Sequence, residues 1–230
     1  MEHRTRMAIV TGGSRGLGRA LVHRLAADGW TVVTDARRGE ALDDLVAEVG
    51  GSVVAIAGDV TDPAHRGELV RTAARLGPIE LLVNNASTLG ETPLPTLERA
   101  DLGDLRRTFE VNVIAPVALW QHAIAVVAPD ATIVSVTSDA ASEAYPTWGA
   151  YGASKSALEH ASRVLAAEHP ALRVLVVDPG DMRTEMHQAA FPDEDISDRP
   201  MPEASVPGLM GLINGDQPSG RYVVKQLVSS

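Results

Sequence analysis

The chain has no cysteine among its 230 residues. Disulfide frameworks, thiolate nucleophiles and cysteine-ligated zinc are therefore excluded, although this absence assigns no compartment. Aromatic residues make up only 3% of the sequence while 45% is hydrophobic, so the core must be built mostly from Ala, Val, Leu and Ile. Positive charge is scarce: 20 Lys and Arg stand against 30 Asp and Glu, and the net charge of −10 argues against non-specific nucleic-acid binding. No apolar run approaches the roughly 18 to 20 residues of a membrane span. The first apolar stretch, Met7 to Val10, is too short for a signal peptide. The acidic residues at 193–198 lack histidine ligand spacing, so no metal site is expected. The default expectation is a soluble, cytoplasmic protein forming a single domain over 1–230.

What the chain does have is a regular alternation of short apolar runs and helical patterns. Strands are expected over 7–11, 31–34, 53–57, 79–83, 132–136, 173–177 and 222–224. Helices are expected over 19–28, 40–49, 63–76 with Asp62 as cap, 102–128 with Pro116 as a kink or boundary, and 151–168 closed by Pro170. Residues 181–208, rich in proline and acid, read as an excursion with short helices that would cover a substrate. Helices between successive strands imply a parallel sheet with right-handed crossovers. The expected class is α/β: a Rossmann-type, doubly wound domain with about seven parallel strands flanked by helices, and ligands at the carboxyl ends of the strands.

Each chemical motif falls just after an expected strand. The run Thr11-Gly12-Gly13-Ser14-Arg15-Gly16-Leu17-Gly18 follows the first and opens the first helix. Glycines there let backbone N–H groups approach a pyrophosphate at a helix N-terminus. The spacing is neither the common dinucleotide fingerprint nor a P-loop. Arg15 lies in this turn, and Arg37 and Arg38 follow the second strand, where the adenosine ribose is approached. Guanidinium groups there suit a 2′-phosphate. Asp35 pulls the other way, because a carboxylate can accept from a free 2′-hydroxyl. The pair of arginines favours NADP(H) over NAD(H).

Tyr151 and Lys155 stand four residues apart, on one helix face, and Ser138 lies upstream of them. A phenol is ordinarily a weak acid, and a nearby ammonium is expected to lower its pKa. Such a phenol can give a proton to a forming alkoxide or remove one from an alcohol, while the serine hydroxyl holds the substrate oxygen. Tyr145 and Trp148, beside this site, and Met182, Met186, His187 and Phe191, further on, are apolar or adaptable side chains suited to a substrate pocket and its lid. His122 and His160 read as packed or surface residues.

With these motifs in order along nearly its whole length, the chain resembles the short-chain dehydrogenase/reductase family. Residues 11–18 match that family's cofactor turn. Asp59 and Val60 resemble the pair that contacts adenine. Asn84, Asn85 and Ala86 resemble its Asn-Asn-Ala-Gly segment lining the cofactor, with Ser87 in place of the final glycine. Asn112, Ser138, Tyr151 and Lys155 match the catalytic tetrad, and Pro179, Gly180 and Thr184 the segment beside the nicotinamide. The resemblance implies that Lys155 also binds the nicotinamide ribose, that Asn112 positions a water relaying protons, and that Arg37 meets the 2′-phosphate. It further implies a homodimer or homotetramer built on the helices around 105–127 and 151–167. The expected activity is NADP(H)-dependent reduction of a ketone or aldehyde. An NAD-dependent alcohol dehydrogenase and a catalytically silent cofactor-binding regulator are the alternatives.

Overall fold

Parallel strands covered on both faces need apolar side chains on both, which is why these runs are continuous rather than alternating. In the computed structural model, which describes residues 6–227, seven strands form one parallel sheet. They are β1 (Arg6–Val10), β2 (Trp30–Ala36), β3 (Val53–Ala57), β4 (Ile79–Asn84), β5 (Val127–Val136), β6 (Arg173–Asp178) and β7 (Gly220–Val223), in the order β3-β2-β1-β4-β5-β6-β7. The helices are α1 (Gly16–Ala27), α2 (Gly39–Val49), α3 (Pro63–Leu76), α4 (Leu102–Phe109), α5 (Ala115–Ala123), α6 (Gly149–Glu168), α7 (Glu185–Ala190), α8 (Val206–Asn214) and α9 (Val224–Leu227). The expected Rossmann-type architecture is the one observed. Residues 1–5 and 228–230 of the expected domain lie outside the described residues.

Successive strand residues point to opposite layers. Ala8 and Val10 of β1 pack with Leu21 and Leu25 of α1 and with Leu209 and Ile213 of α8. Met7 and Ile9 pack on the other face with Leu69 of α3, Leu119 of α5 and Leu158 of α6. The strand order reverses between β1 and β4, which are direct neighbours. The loops after those two strands therefore diverge to opposite faces and leave a crevice at their carboxyl ends. Among the described residues no helix is long and apolar enough to cross a membrane.

Several boundaries differ from expectation. β2 runs on to Ala36 because its ladder with β3 continues through Asp35↔Ile56 and Ala36↔Ala57. The helix expected over 102–128 is divided: a π-helical turn, Glu110–Ile114, separates α4 from α5, and Pro116 sits in the first turn of α5, directly after that turn. That helix ends at Ala123, and β5 starts at Val127 rather than Thr132, with a bulge opposite β4 that accommodates Pro129. The excursion after β6 is shorter than 181–208, because Val206 begins α8 and is buried in the core. Asp62 caps α3 as expected, its Oδ1 accepting from Ala64 N at 2.9 Å.

Candidate active site

The loops after β1, β2, β3, β4, β5 and β6 open into one cleft of about 1600 Å³. Its lining includes Gly12, Ser14, Arg15, Gly16, Leu17, Arg37, Asp59, Val60, Asn85, Ala86, Ser138, Tyr145, Trp148, Tyr151, Lys155, Pro179, Gly180, Met182, Thr184 and Met186. Gly18, Asn84 and Asn112, all expected at the site, lie outside that lining. Gly18 acts by packing: a Cβ there would collide with the Gly12 carbonyl oxygen, so glycine lets α1 close on its own turn. Gly16 has φ 55°, a conformation that favours glycine.

The turn is tied to the neighbouring strand. Asn85 Nδ2 donates to the carbonyl oxygens of Thr11 (2.9 Å) and Gly12 (3.2 Å), and Thr11 Oγ1 accepts from the N–H groups of Asn85 and Ala86, each at 3.1 Å. On its other side Gly12 N donates to Asp35 Oδ1 at 2.8 Å. Asp35 Oδ2 lies 2.9 Å from His65 Nε2, and the carboxylate is 1% exposed. Both oxygens of Asp35 are thus engaged inside the protein, which answers the sequence ambiguity: Asp35 supports the glycine turn. Arg37, two residues on, is exposed and lines the cleft. Burial works to raise the Asp59 carboxyl, but Thr61, donating from both its N–H and its hydroxyl, holds it below the usual carboxylate range, and the charge of Arg37 adds to this. Arg15, expected to be a second phosphate cation, lines the cleft and pairs with Glu185 of α7.

At the other motif cluster, α6 carries Tyr151 and Lys155 inward, both buried. Lys155 Nζ donates to the Val136 carbonyl at 2.8 Å and lies 5.5 Å from the Tyr151 ring centroid. The expectation of a phenol lowered by its ammonium neighbour is not met in this state. Burial pushes the Tyr151 phenol far up; hydrogen bonds with Ser138 and Ser87 act downward, and the charges of Asp178 and Asp139 add to the rise. Burial likewise lowers Lys155 to about 8, against the opposing charge of Glu159, so the ammonium persists at neutral pH. The physical reason is that removing a phenolate from water costs more than these hydrogen bonds return. Ser138 Oγ donates to Asp139 Oδ1 at 2.9 Å and accepts from Ala140 N at 3.2 Å. Tyr145 donates from its hydroxyl to Asp139 Oδ2 at 3.0 Å.

Asn112 sits in the π-helical turn and is 1% exposed. Its Oδ1 accepts from Thr88 N (2.9 Å) and Ser87 Oγ (3.1 Å); its Nδ2 donates to Thr88 O (2.8 Å) and Ser154 Oγ (2.9 Å). Two lone pairs and two N–H bonds are then all used. The side chain has no capacity left for the expected water, and it serves to pin the 87–88 loop to α6.

The apolar wall is aromatic. Trp148 meets Tyr151 edge-on at 5.7 Å and Phe191 at 5.7 Å, and Phe191 lies 4.9 Å from His187. Met186 joins this cluster, whereas Met182 packs against the main core. Thr184 caps α7, accepting from His187 N at 3.1 Å. Thr147, just before Trp148, has φ 72°, an uncommon and strained conformation for a β-branched residue.

Four contributors escaped the sequence reading. Asp139 orients Ser138 and Tyr145. Glu159 continues the Tyr151–Lys155 face by one more turn, a spacing that could have revealed it. Arg221 of β7 donates to Glu159 Oε1 (3.0 Å), Asp178 Oδ2 (3.2 Å) and the Ser138 carbonyl (3.3 Å), a tie across the sheet that no local pattern announces. His65 approaches from α3.

A parallel sheet whose strand-end cleft joins a glycine turn to a Ser-Tyr-Lys cluster defines a nucleotide-binding oxidoreductase. Residues 6–195 match the family model for short chain dehydrogenases, and the chain belongs to that family. Sepiapterin reductase of Meriones unguiculatus is 33% identical over 202 residues, covering 80% of this chain and 77% of that protein. A short-chain dehydrogenase from Streptomyces avermitilis superposes with a TM-score of 0.85 at 28% identity, over 100% of this chain and 92% of its own. A short-chain dehydrogenase from Shigella flexneri complexed with NADP gives 0.89 at 26% identity, over 96% and 97%.

Proposed function

We propose that this protein reduces a ketone or aldehyde to an alcohol with NADP(H), Tyr151 acting as the proton donor. The carrying observation is the convergence of Ser138, Tyr151 and Lys155 on the cleft that also holds the glycine turn and Arg37. A dinucleotide suits the residues present. The left-handed Gly16 keeps a Cβ out of the turn, Asn85 braces that turn, and Arg37 makes no ion pair with a described residue and is available to a 2′-phosphate. The inward Asp35 removes the carboxylate that would repel such a phosphate. A relative that is a reductase and a structural neighbour holding NADP support the same reading.

When bound, the reduced nicotinamide supplies the hydride. Ser138 Oγ donates a hydrogen bond to the substrate oxygen, exchanging Asp139 for it. Tyr151 gives its phenolic proton to that oxygen as the carbonyl carbon is reduced, so the C=O π bond is replaced by C–H and O–H bonds. A high phenol pKa keeps the proton on Tyr151 until the substrate oxygen becomes basic. The Lys155 ammonium, anchored on Val136, faces the resulting phenolate and supports the ribose side of the cleft. Trp148, Tyr145, Phe191 and Met186 select a substrate with an apolar or aryl flank, and residues 181–205 close over it. The functional unit is a homodimer or homotetramer.

The test is a panel of aryl and alkyl ketones, aldehydes and the matching alcohols, each with both nicotinamide cofactors, followed by the near-ultraviolet absorbance of reduced nicotinamide. Turnover of aryl carbonyls with NADPH is expected. Turnover only of alcohols with NAD would replace this reading by that of an alcohol dehydrogenase.

A further inference from the structure

The proton of the Ser138 hydroxyl is held by the next residue in the chain. Ser138 Oγ donates to Asp139 Oδ1 at 2.9 Å, and the same carboxylate oxygen accepts from Ala140 N at 2.8 Å. Asp139 Oδ2 accepts from the Tyr145 hydroxyl at 3.0 Å, which keeps Oδ1 on the serine side. Asp139 is exposed and lines the cleft. The carboxylate of Asp178 lines it too, but is buried and committed: Oδ1 accepts from Gly180 N at 2.9 Å and Oδ2 from Arg221 at 3.2 Å. The side chains packed around Tyr151 are apolar, Trp148 and Met186 among them. Asp139 is thus a charged acceptor beside the substrate serine, at the edge of an apolar wall.

We propose that Asp139 is a specificity-determining residue and that the substrate is an α-hydroxy ketone or aldehyde, whose hydroxyl on the carbon next to the carbonyl donates to Asp139 Oδ1. The proposal rests on the reading that Ser138 holds the substrate oxygen. A serine hydroxyl has one proton, so to hold that oxygen Ser138 must take its proton away from Asp139. A plain ketone then leaves the carboxylate short of a donor, beside an apolar flank that has displaced water, and that is costly for a charged acceptor. An α-hydroxyl removes the cost. Its oxygen lies close to a hydrogen-bond length from the carbonyl oxygen, matching the step from Ser138 Oγ to Asp139 Oδ1. One substrate fragment therefore spans both groups, carbonyl on the serine and hydroxyl on the carboxylate. A hydroxyl suits the position better than an ammonium, because Lys155 already places a buried cation 5.5 Å from the Tyr151 ring centroid. The carbonyl gains a hydride from the reduced nicotinamide and a proton from Tyr151; the α-hydroxyl keeps its O–H bond, and the product is a vicinal diol.

The experiment measures kcat/KM with NADPH for acetophenone, α-fluoroacetophenone and α-hydroxyacetophenone in the wild type, Asp139→Asn, Asp139→Ala and Ser138→Ala. Fluorine is close to a hydroxyl in size and also activates the carbonyl, but it cannot donate. The hydroxy-to-fluoro ratio, compared between variants, therefore isolates the donor. It is expected to fall about tenfold or more from wild type to Asp139→Ala, as for a hydrogen bond to a charged group. In Asp139→Asn the fall should be smaller, because the amide oxygen still accepts. Removing the carboxylate also frees the Ser138 proton, so Asp139→Ala should keep or raise kcat/KM for acetophenone, an outcome that damage to the fold does not produce. The NADPH dissociation constant, read by fluorescence, stays within about twofold of wild type in both Asp139 variants. A hydroxy-to-fluoro ratio that is the same in wild type and Asp139→Ala overturns the proposal and leaves ketone reduction standing. If the wild type reduces none of the three, or Ser138→Ala keeps full turnover of them, the reading of the site fails and the role of Asp139 with it.

Discussion

His65 and Asp35 form a buried pair, Nε2 to Oδ2 at 2.9 Å, whose second carboxylate oxygen holds the N–H of Gly12. The first cause of His65's raised pKa is this hydrogen bond; burial opposes it and the charge of Asp35 adds to it. A histidine raised above its ordinary value of about 6.5 stabilises the fold fully below that value and loses the contribution as pH rises through the folded value. Thermal melts are expected to fall as pH rises above about 6.5 more steeply for the wild type than for His65→Gln. That variant should lose about 3 kcal/mol at the acid end, the cost of leaving a buried carboxylate without its partner. Parallel melting curves across this range would show the pair to be energetically silent.

Tyr151→Phe should lower kcat by roughly 10² to 10⁴, the usual contribution of a positioned acid, while NADPH affinity changes little. Lys155→Ala should damage both, because the side chain anchors on Val136 and faces both the phenol and the cofactor side of the cleft. Steady-state kinetics with fluorescence titration of NADPH separates the two effects. Equal losses of cofactor affinity in both variants would count against the division of roles.

Arg37→Ala should erase a preference for NADPH over NADH of about tenfold, which corresponds to about 1.4 kcal/mol, within reach of one charge-assisted contact at an exposed site. Asp35→Asn should instead destabilise the protein with little change in that ratio, since its carboxylate is turned to Gly12 and His65. A ratio that follows Asp35 and ignores Arg37 would reverse the assignment.

Apolar side chains stand exposed on the α4–α5 and α6 surface: Leu102 is 62%, Ile114 48% and Val164 42% exposed. Self-association through these helices would remove them from water. Light scattering at micromolar protein should report a dimer or tetramer, and Ile114→Asp a smaller species. A monomeric mass for the wild type contradicts the expectation.

Residues 183–200 form a loop closed at its base by Arg183 N donating to the Pro200 carbonyl at 2.8 Å and joined to the glycine turn by the Arg15–Glu185 pair. Hydrogen exchange in this segment should slow when NADPH and substrate bind, and Glu185→Ala should raise exchange of the unliganded form. Identical protection with and without ligands would rule out a closing role.

Much of this could be read without coordinates because the signals are local. Periodicity placed the strands, a parallel sheet demands the intervening helices, and a spacing of four puts Tyr151 and Lys155 on one face whatever surrounds them. Glycines in a turn, an Asp before a proline-started helix and an arginine after a strand carry their meaning in a few consecutive residues. What the tertiary structure alone decided depends on groups distant in the chain. The inward turn of Asp35 needed His65 from α3. The rise in Tyr151's pKa came from burial, which no spacing reports. Asn112 proved saturated because Thr88 and Ser154 reach it from separate elements, and Ser138's backbone is held by Arg221 from the last strand. The sequence determined which groups are present and in what local geometry; packing decided which of them are desolvated and which already have partners, because hydrogen-bond capacity and dielectric are properties of the whole surround rather than of the chain.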